Sequence, residues 1–501
     1  MGILIRQSVS STIFIYVGAV LGFINTTLLY PKFLTESQIG ALNLIVTYAI
    51  IFGMLGSLGF TRAITKFFPY YRSRTEKHRG FLFLILMVGM TGFGVFCLFF
   101  IPMQNWLAEQ NLSKSANFAQ YIYLIIPLTL IHIFWNLLDT YNSMLYRTIF
   151  GISLKEFWLR LIFFLGLIFL VFNLIDFDGY IKIYSFGFFV ILFALILHLI
   201  FFKDFNLKPD FSQYRKSYLR EMLSWSSYGL VTGLGGFAAL KIDTIMINYY
   251  LGELSTGIYV TVFNFTTLIL MPNRGMSRIA TTIISDAFKA KDFEKVEDMY
   301  RRTCLTQAMI ALLIFLGLVV NIDNIFRILP ESYSLGFWVI VIIGLANVLR
   351  MVAGVSENII ALSKYYRYQT YYILFYLVAI VLTNLILIPL YGINGAAIAS
   401  AISIFAYFLV RYIFLYQKYR YQPYSYKYVI LFILSAMIFF CLKLIPYVDN
   451  LVIDIALRSI LTIVFFVLPI YYLRLSNDVN ELIETFLKLV RDKFKSSSKN
   501  I

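Results

Sequence analysis

The chain has 501 residues, 60% hydrophobic and only 14% charged, with a mean hydropathy of +0.79. That balance excludes a soluble globular protein and points to a polytopic membrane protein. The net charge of +16 is not that of a nucleic-acid binder, because no basic arm is interleaved with stacking aromatics outside the apolar runs.

A span needs about 20 apolar residues. Fourteen stretches qualify: 8–30, 38–61, 80–102, 118–143, 156–174, 180–202, 222–250, 255–282, 303–321, 335–362, 368–390, 392–414, 428–446 and 450–473. The first is followed by Asn25-Thr26-Thr27 and Tyr30-Pro31 with no small-residue cleavage site, so it reads as a retained helix rather than a signal peptide. The connections alternate in charge. That between spans 2 and 3 holds Arg62, Lys66, Arg72, Arg74, Lys77 and Arg79, and those after spans 6 and 8 are similarly basic. By this tally roughly 30 of the 42 basic residues fall on one face and about 5 on the other, which predicts both termini in the cytoplasm. No connection much exceeds about 20 residues, so no soluble catalytic domain fits and no enzyme activity is expected. Cys97, Cys304 and Cys441 lie far apart, without metal-ligand spacing, and read as core residues. After Arg474, Val479, Leu482, Ile483, Phe486, Leu487, Val490 and Phe494 recur at helical spacing between Lys and Arg, which predicts an amphipathic helix on the inner leaflet.

The chain also repeats itself. A shift of 216 residues puts Arg62 on Arg278, Asn142 on Asn358 and Asp178-Gly179 on Asn394-Gly395, and a shift of 217 puts Gly40 on Gly257. A unit of six spans is even, so both copies share one orientation, an arrangement used by alternating-access transporters. The expected organisation is an N-lobe (1–205), a C-lobe (206–425), an extra pair of spans (426–475) and a cytoplasmic tail (476–501).

A charge near the bilayer centre costs roughly 2.5–3.5 kcal/mol on insertion scales, so it persists where it faces protein, a cavity or a partner. Arg160, Arg278 and Arg411 lie near enough to span ends to snorkel, and Arg458 has Asp454 four residues earlier as a local ion pair near the outer surface. Lys241 and Asp243 in span 7, Arg274 one turn from Arg278 in span 8, and Arg350 in span 10 are harder to explain that way. Arg350 has Glu357 seven residues on, and His132 has Asp139 at the same spacing in span 4. The 216 shift carries Lys241 to the polar Asn25. Snorkelling from a helix end, or buried ion pairs that merely lock helices together, would account for these groups without a ligand. If they share a cavity, Arg62, Lys241, Arg274, Arg278 and Arg350 make it cationic, with Asp139, Asp243 and Glu357 as partial balance and Asn25, Asn142 and Asn358 as polar lining. Such a cavity suits an anionic ligand, phosphate oxygens in particular, and the acids with His132 are candidates for proton or sodium coupling.

Asp243 with Leu251-Gly252 and Gly257-Ile258-Tyr259 resembles the helix 7–8 signature of the polysaccharide transporter (Wzx-type oligosaccharide flippase) family. Asn384 followed by Ile388-Pro389-Leu390-Tyr391-Gly392-Ile393-Asn394-Gly395-Ala396-Ala397-Ile398-Ala399 is similar to its helix 11–12 hairpin, and Gly56-Ser57-Leu58-Gly59-Phe60 before Arg62 to its helix 2 end. The resemblance implies an all-α membrane fold of the multidrug/oligosaccharidyl-lipid/polysaccharide superfamily: about 14 helices, two six-helix lobes in a V, and two extra C-terminal helices. It further implies a substrate of the undecaprenyl-diphosphate-linked oligosaccharide type, export across the bacterial inner membrane for surface polysaccharide biosynthesis, contact with membrane lipids and with a glycan polymerase complex, and no cofactor. Basic residues are common on helices 1 and 7 of that family; Lys241 matches the second, whereas span 1 offers Asn25, Thr26 and Thr27. A multidrug or cation antiporter of the same superfamily, a membrane glycan polymerase or glycosyltransferase, and a structural partner in a glycan-assembly complex are the rival readings.

Overall fold

The computed structural model describes residues 14–73, 76–209, 216–476, 479–481 and 484. Regular structure among these is helical throughout, with no strand. Backbone groups in hydrocarbon must be bonded within their own segment, which a helix does and an open sheet cannot.

In chain order the first helices are α1 (Phe14–Phe33), α2 (Glu36–Gly56), α3 (Phe60–Tyr71), α4 (Phe81–Asn111) and α5 (Ala116–Met144). A short helix (Thr148–Ser153) and a π-helical turn (Leu154–Trp158) lead into α6 (Leu159–Val171), followed by α7 (Phe177–Phe201). Then come α8 (Lys216–Thr267), α9 (Met271–Ala290), α10 (Phe293–Val320) and the short α11 (Ile322–Ile328). The rest are α12 (Phe337–Val352), α13 (Ser356–Leu362), α14 (Tyr368–Tyr419), α15 (Tyr426–Lys443) and α16 (Leu451–Tyr472).

Among the described residues, 11 helices are long and apolar enough to cross a membrane. The other expected spans are also helical. α14 holds two of them, α6 holds span 5, and the first half of α8 holds span 7. Both α8 and α14 run for 52 residues and are two helices fused at a glycine, Gly252 with φ 84° and Gly392 with φ 60°. Span 2 differs from expectation because its helix stops at Gly56, inside the apolar run, and restarts at Phe60. The amphipathic tail falls almost wholly outside the described residues.

Local chemistry sets the ends. Thr35 and Gln38 form a reciprocal capping box at the start of α2, with bonds of 3.3 and 3.0 Å. Asp176 caps α7 through the Gly179 N–H at 2.8 Å, and Asp292 caps α10 through Lys295 N–H at 3.0 Å.

Packing density divides the chain into two units, Met1–Thr261 and Val262–Ile501. In the first, α5 is central and packs on α2, α3, α4 and α7 through Leu128, Ile133, Leu137, Leu138 and Tyr141. In the second, α10 holds the equivalent place against α9, α12, α15 and α16. Small residues let backbones touch: a Cβ on Gly92 of α4 would fall 1.7 Å from the Gly56 carbonyl.

Each unit also buries an ionic cluster. In the first, Arg147 lies 2.6 Å and His78 3.1 Å from the two oxygens of buried Asp204. They tie three basic-end connections together and hold Lys77, His78 and Arg79 at φ of 49–55°. In the second, the expected pair Arg458–Asp454 forms at 2.8 Å, with both partners fully buried. Arg458 donates onward to the carbonyls of Leu442 (3.0 Å) and Ile445 (2.9 Å), bonding the C-terminal end of α15. Asp454 accepts from Asn324 at 2.5 Å and from the Val448 N–H at 3.0 Å. Arg411, expected to snorkel, is buried instead. It is 1% exposed, donates to Ser356 at 2.9 Å and faces the Tyr407 ring.

Candidate functional site: a polar cavity at a broken span

The break between α2 and α3 is made by Ser57, Leu58 and Gly59. Leu58 takes φ 51° and Gly59 φ 66°, so two consecutive residues are left-handed and the helix cannot continue. Their backbone groups are re-bonded locally: Leu58 N–H to Leu55 O at 2.9 Å, and Phe60 N–H to Ser57 O at 2.9 Å. Gly59 is required twice over, because a Cβ there would also sit 2.1 Å from the Ser226 carbonyl of α8. No side chain caps the start of α3.

Beside this break lies a cavity of about 270 Å³, lined by Ser57, Gly59 and Thr61 on one side. From α5 come Trp135, Asn136, Asp139 and Thr140, from the π-helical turn Lys155, and from α8 Gly229, Leu230 and Gly233. The helix start at Gly59 presents the positive end of a dipole, and Lys155 adds a full charge. Asp139 keeps one oxygen, Oδ1, buried without a hydrogen-bond partner among the described residues. Gly151 makes room for that oxygen, since a Cβ there would lie 1.8 Å from it. Lys155 and Asp139 are not within ion-pair distance, and Lys155 bonds no described residue. The cavity can therefore offer a cation and a helix start to anionic oxygens, and amides, hydroxyls and an indole to a sugar.

The predicted site residues scatter around this centre. Asp139 lines the cavity, and the stem of Arg62 packs against Gly229 at its edge. His132 lies two turns from Asp139 on α5, buried against Phe188 at 5.0 Å, and makes no direct bond to Asp139. Lys241 is eight residues beyond Gly233 on α8, about 12 Å along the helix. Asp243 is buried and accepts a hydrogen bond from Tyr259 at 3.0 Å, which joins the two halves of α8. Asn25 sits in a π-helical stretch of α1 and donates to the Arg160 carbonyl at 2.9 Å. Asn142 donates to the Arg147 carbonyl at 2.9 Å, holding the turn after α5.

The other predicted residues belong to the second unit. Arg350 ends α12 half-buried without an ion pair to a described residue. Glu357 has Arg411 rather than Arg350 as its nearest cation, at 3.7 Å, and accepts from Gln369 at 2.9 Å. Asn358 donates to Thr281 at 2.6 Å. Arg274 and Arg278 are on α9, and their side chains lie outside the described residues.

Sequence reasoning missed Lys155, which stands beside Glu156 at the edge of span 5 and looks like one more loop charge. It also missed a polar latch at the end of the first unit opposite the basic loops. There Glu253 of α8, 4% exposed, accepts from Asn117 Nδ2 (2.7 Å), Asn117 N–H (3.3 Å) and Phe118 N–H (2.9 Å) at the start of α5. Ser115 donates to Asn248 at 2.6 Å, and Asn248 donates to Asn111 at 3.0 Å. Gly40 and Gly257, paired by the repeat, touch reciprocally: a Cβ on the first would lie 2.0 Å from Glu253 O, and one on the second 1.9 Å from Glu36 O. The same shift of 217 relates Glu36 to Glu253, so the crossing has the reciprocity of a two-fold contact.

The family described as polysaccharide biosynthesis protein matches residues 4–284, and the chain belongs to it. A probable low-salt glycan biosynthesis flippase of Haloferax volcanii is 22% identical over 198 residues, 39% of this chain and 41% of the relative. The probable flippase AglR of the same organism is 26% identical over 207 residues, 40% of this chain and 43% of the relative. The chain thus matches about two fifths of the length of these curated relatives. Among solved structures, the lipid II flippase MurJ in an inward closed conformation superposes with a TM-score of 0.73 at 12% identity, covering 92% of this chain and 99% of MurJ. An inward-facing multidrug resistance MATE family transporter of the MOP superfamily gives 0.62 at 14% identity, covering 86% of this chain and 95% of the transporter. The fold is therefore that of the MOP superfamily, as the family resemblance implied.

Proposed function

We propose that this protein is a flippase that carries a lipid-linked oligosaccharide across a membrane by alternating access, for glycan biosynthesis. The observation that carries this reading is the cavity at the broken span, where a cation and an uncapped helix start face polar and aromatic side chains inside otherwise apolar helices. A glycan head crosses hydrocarbon only if its lost hydration is replaced. Lys155 and the start of α3 receive the anionic linkage, a diphosphate on a polyprenol of the undecaprenyl type, while Asp139, Asn136 and Thr140 bond sugar hydroxyls. Arg62, Lys241, Arg274, Arg278 and Arg350 supply further positive charge along the path, and protonation of, or sodium binding at, the embedded acids drives the cycle. The membrane is the inner membrane of a bacterium, with both termini in the cytoplasm and a glycan polymerase acting downstream. Membership of the polysaccharide biosynthesis protein family and the flippase relatives support this reading over a multidrug antiporter.

The test uses protein in liposomes with a fluorescent polyprenyl-diphosphate oligosaccharide and a membrane-impermeant quencher. Leaflet exchange should be fast with the wild type and at least tenfold slower with Lys155→Ala at equal protein content. Exchange no faster than in empty liposomes, with export of cationic dyes instead, would overturn the assignment.

A further inference from the structure

On the other side of the same break lies a second recess, of about 290 Å³, lined entirely by apolar side chains and glycine. Residues around the break divide by position. Met54, Ser57, Gly59 and Thr61 line the polar cavity, whereas Phe52, Leu55, Gly56 and Leu58 line the apolar groove. The far wall of the groove is the face of α4 carrying Val95, Phe96, Phe99 and Phe100. Leu230 of α8 lines both, so the two compartments meet at that side chain. The groove wall is open to hydrocarbon: Phe99 is 70% and Val95 46% exposed.

We infer that cavity and groove form one composite site for an amphiphile, with the groove holding the first segment of the apolar chain attached to the anionic head. This deepens the flippase reading and rests on it. Continuity with the polar cavity argues for the substrate's own chain over an annular phospholipid, because the chain of a ligand whose head is held at Lys155 and Gly59 must leave past Leu230. The aromatic wall suits such a chain, since Phe52, Phe96 and Phe100 already pack ring to ring at 5.0–5.4 Å and present a firm surface. The left-handed Leu58 is explained too. A conformation costing about 1–2 kcal/mol for a non-glycine residue places an apolar side chain in the groove while its neighbours Ser57 and Gly59 face the cavity.

The experiment is photo-crosslinking of the full chain in lipid nanodiscs. The probe is a polyprenyl diphosphate bearing a diazirine in its first prenyl unit, with adducts mapped by mass spectrometry. Adducts should concentrate on Phe52–Leu58 and Val95–Met103 and fall at least fivefold with excess unlabelled polyprenyl diphosphate. Val95→Trp, which fills the groove from its exposed edge, should remove them while a water-soluble diphosphate sugar still binds as in the wild type. Competable adducts on other helices would overturn the groove and leave the flippase reading standing. Adducts at the groove that resist competition, and form equally with a phospholipid probe, would mark it as an annular lipid site and overturn the inference. The absence of competable adducts anywhere would overturn both.

Discussion

Helix α8 meets two contrasting surroundings within the first unit. Near Gly252 it is latched: Glu253 accepts from the start of α5, Asn248 accepts from Ser115 and donates to Asn111 at the end of α4, and Gly40 and Gly257 bring two backbones into contact. Near Gly229 it borders a cavity in which Asp139 leaves an oxygen unbonded and Lys155 faces open space. One helix is thus anchored at one end and left with unused polar capacity at the other. Buried polar groups that are paired hold a structure together, and a cavity lined by polar groups has room for partners from outside the chain.

The comparison can be broken by mutation, and the largest effect belongs to the latch. Gly257→Leu drives a Cβ against the Glu36 carbonyl, where no flexible side chain can yield, and should cost about 3 kcal/mol or more. The thermal denaturation midpoint in detergent would record it, and an unchanged midpoint would show that the crossing bears no load. Next, Glu253→Ala removes a charged acceptor from the buried Phe118 N–H and two part-buried donors of Asn117 and should cost about 2–3 kcal/mol, with Glu253→Gln losing roughly half as much. Faster deuterium exchange at the Phe118 amide should accompany the loss. In the cavity, Lys155→Ala and Asp139→Asn should move the midpoint by less than about 0.5 kcal/mol while abolishing exchange of the glycolipid; a marked destabilisation would make both structural residues.

The smallest effect concerns pH, at a half-exposed contact of the second unit. Burial alone would raise the Asp323 carboxyl, but hydrogen bonds from Lys443, at 2.8 Å, and from Tyr447 outweigh it and hold the pKa below the usual value. A depressed carboxyl contributes stability above its unfolded pKa of about 4 and loses it as pH falls through the lower folded value. The wild type should therefore lose slightly more stability than Asp323→Asn between pH 5 and pH 3; parallel curves would refute the contact.

The helical spans were readable because hydrocarbon leaves the sequence few options, and Gly252 and Gly392 were readable as hairpin punctuation. Ion pairs at i and i+4 such as Arg458–Asp454 could be paired from spacing alone, though not their burial by neighbouring helices. Burial of Arg411 could not be anticipated, because its hydrogen-bond partner Ser356 comes from another helix and leaves no trace in local pattern. The cavity was only partly legible. Asp139 stood out as an acid in an apolar run, but Lys155 is an ordinary charge until a π-helical turn aims it inward. The break at Ser57–Gly59 lay inside a window that apolarity alone marks as continuous helix.

The buried Arg458 has a consequence for how the chain is made. An arginine within a lone apolar helix enters the bilayer at a cost of about 2.5–3.5 kcal/mol, and here Asp454 and the carbonyls of Leu442 and Ile445 at the end of α15 offset that cost. The last two spans should therefore enter the bilayer as a single hairpin, and a chain truncated within α16 before Arg458 would leave those carbonyls without their donor.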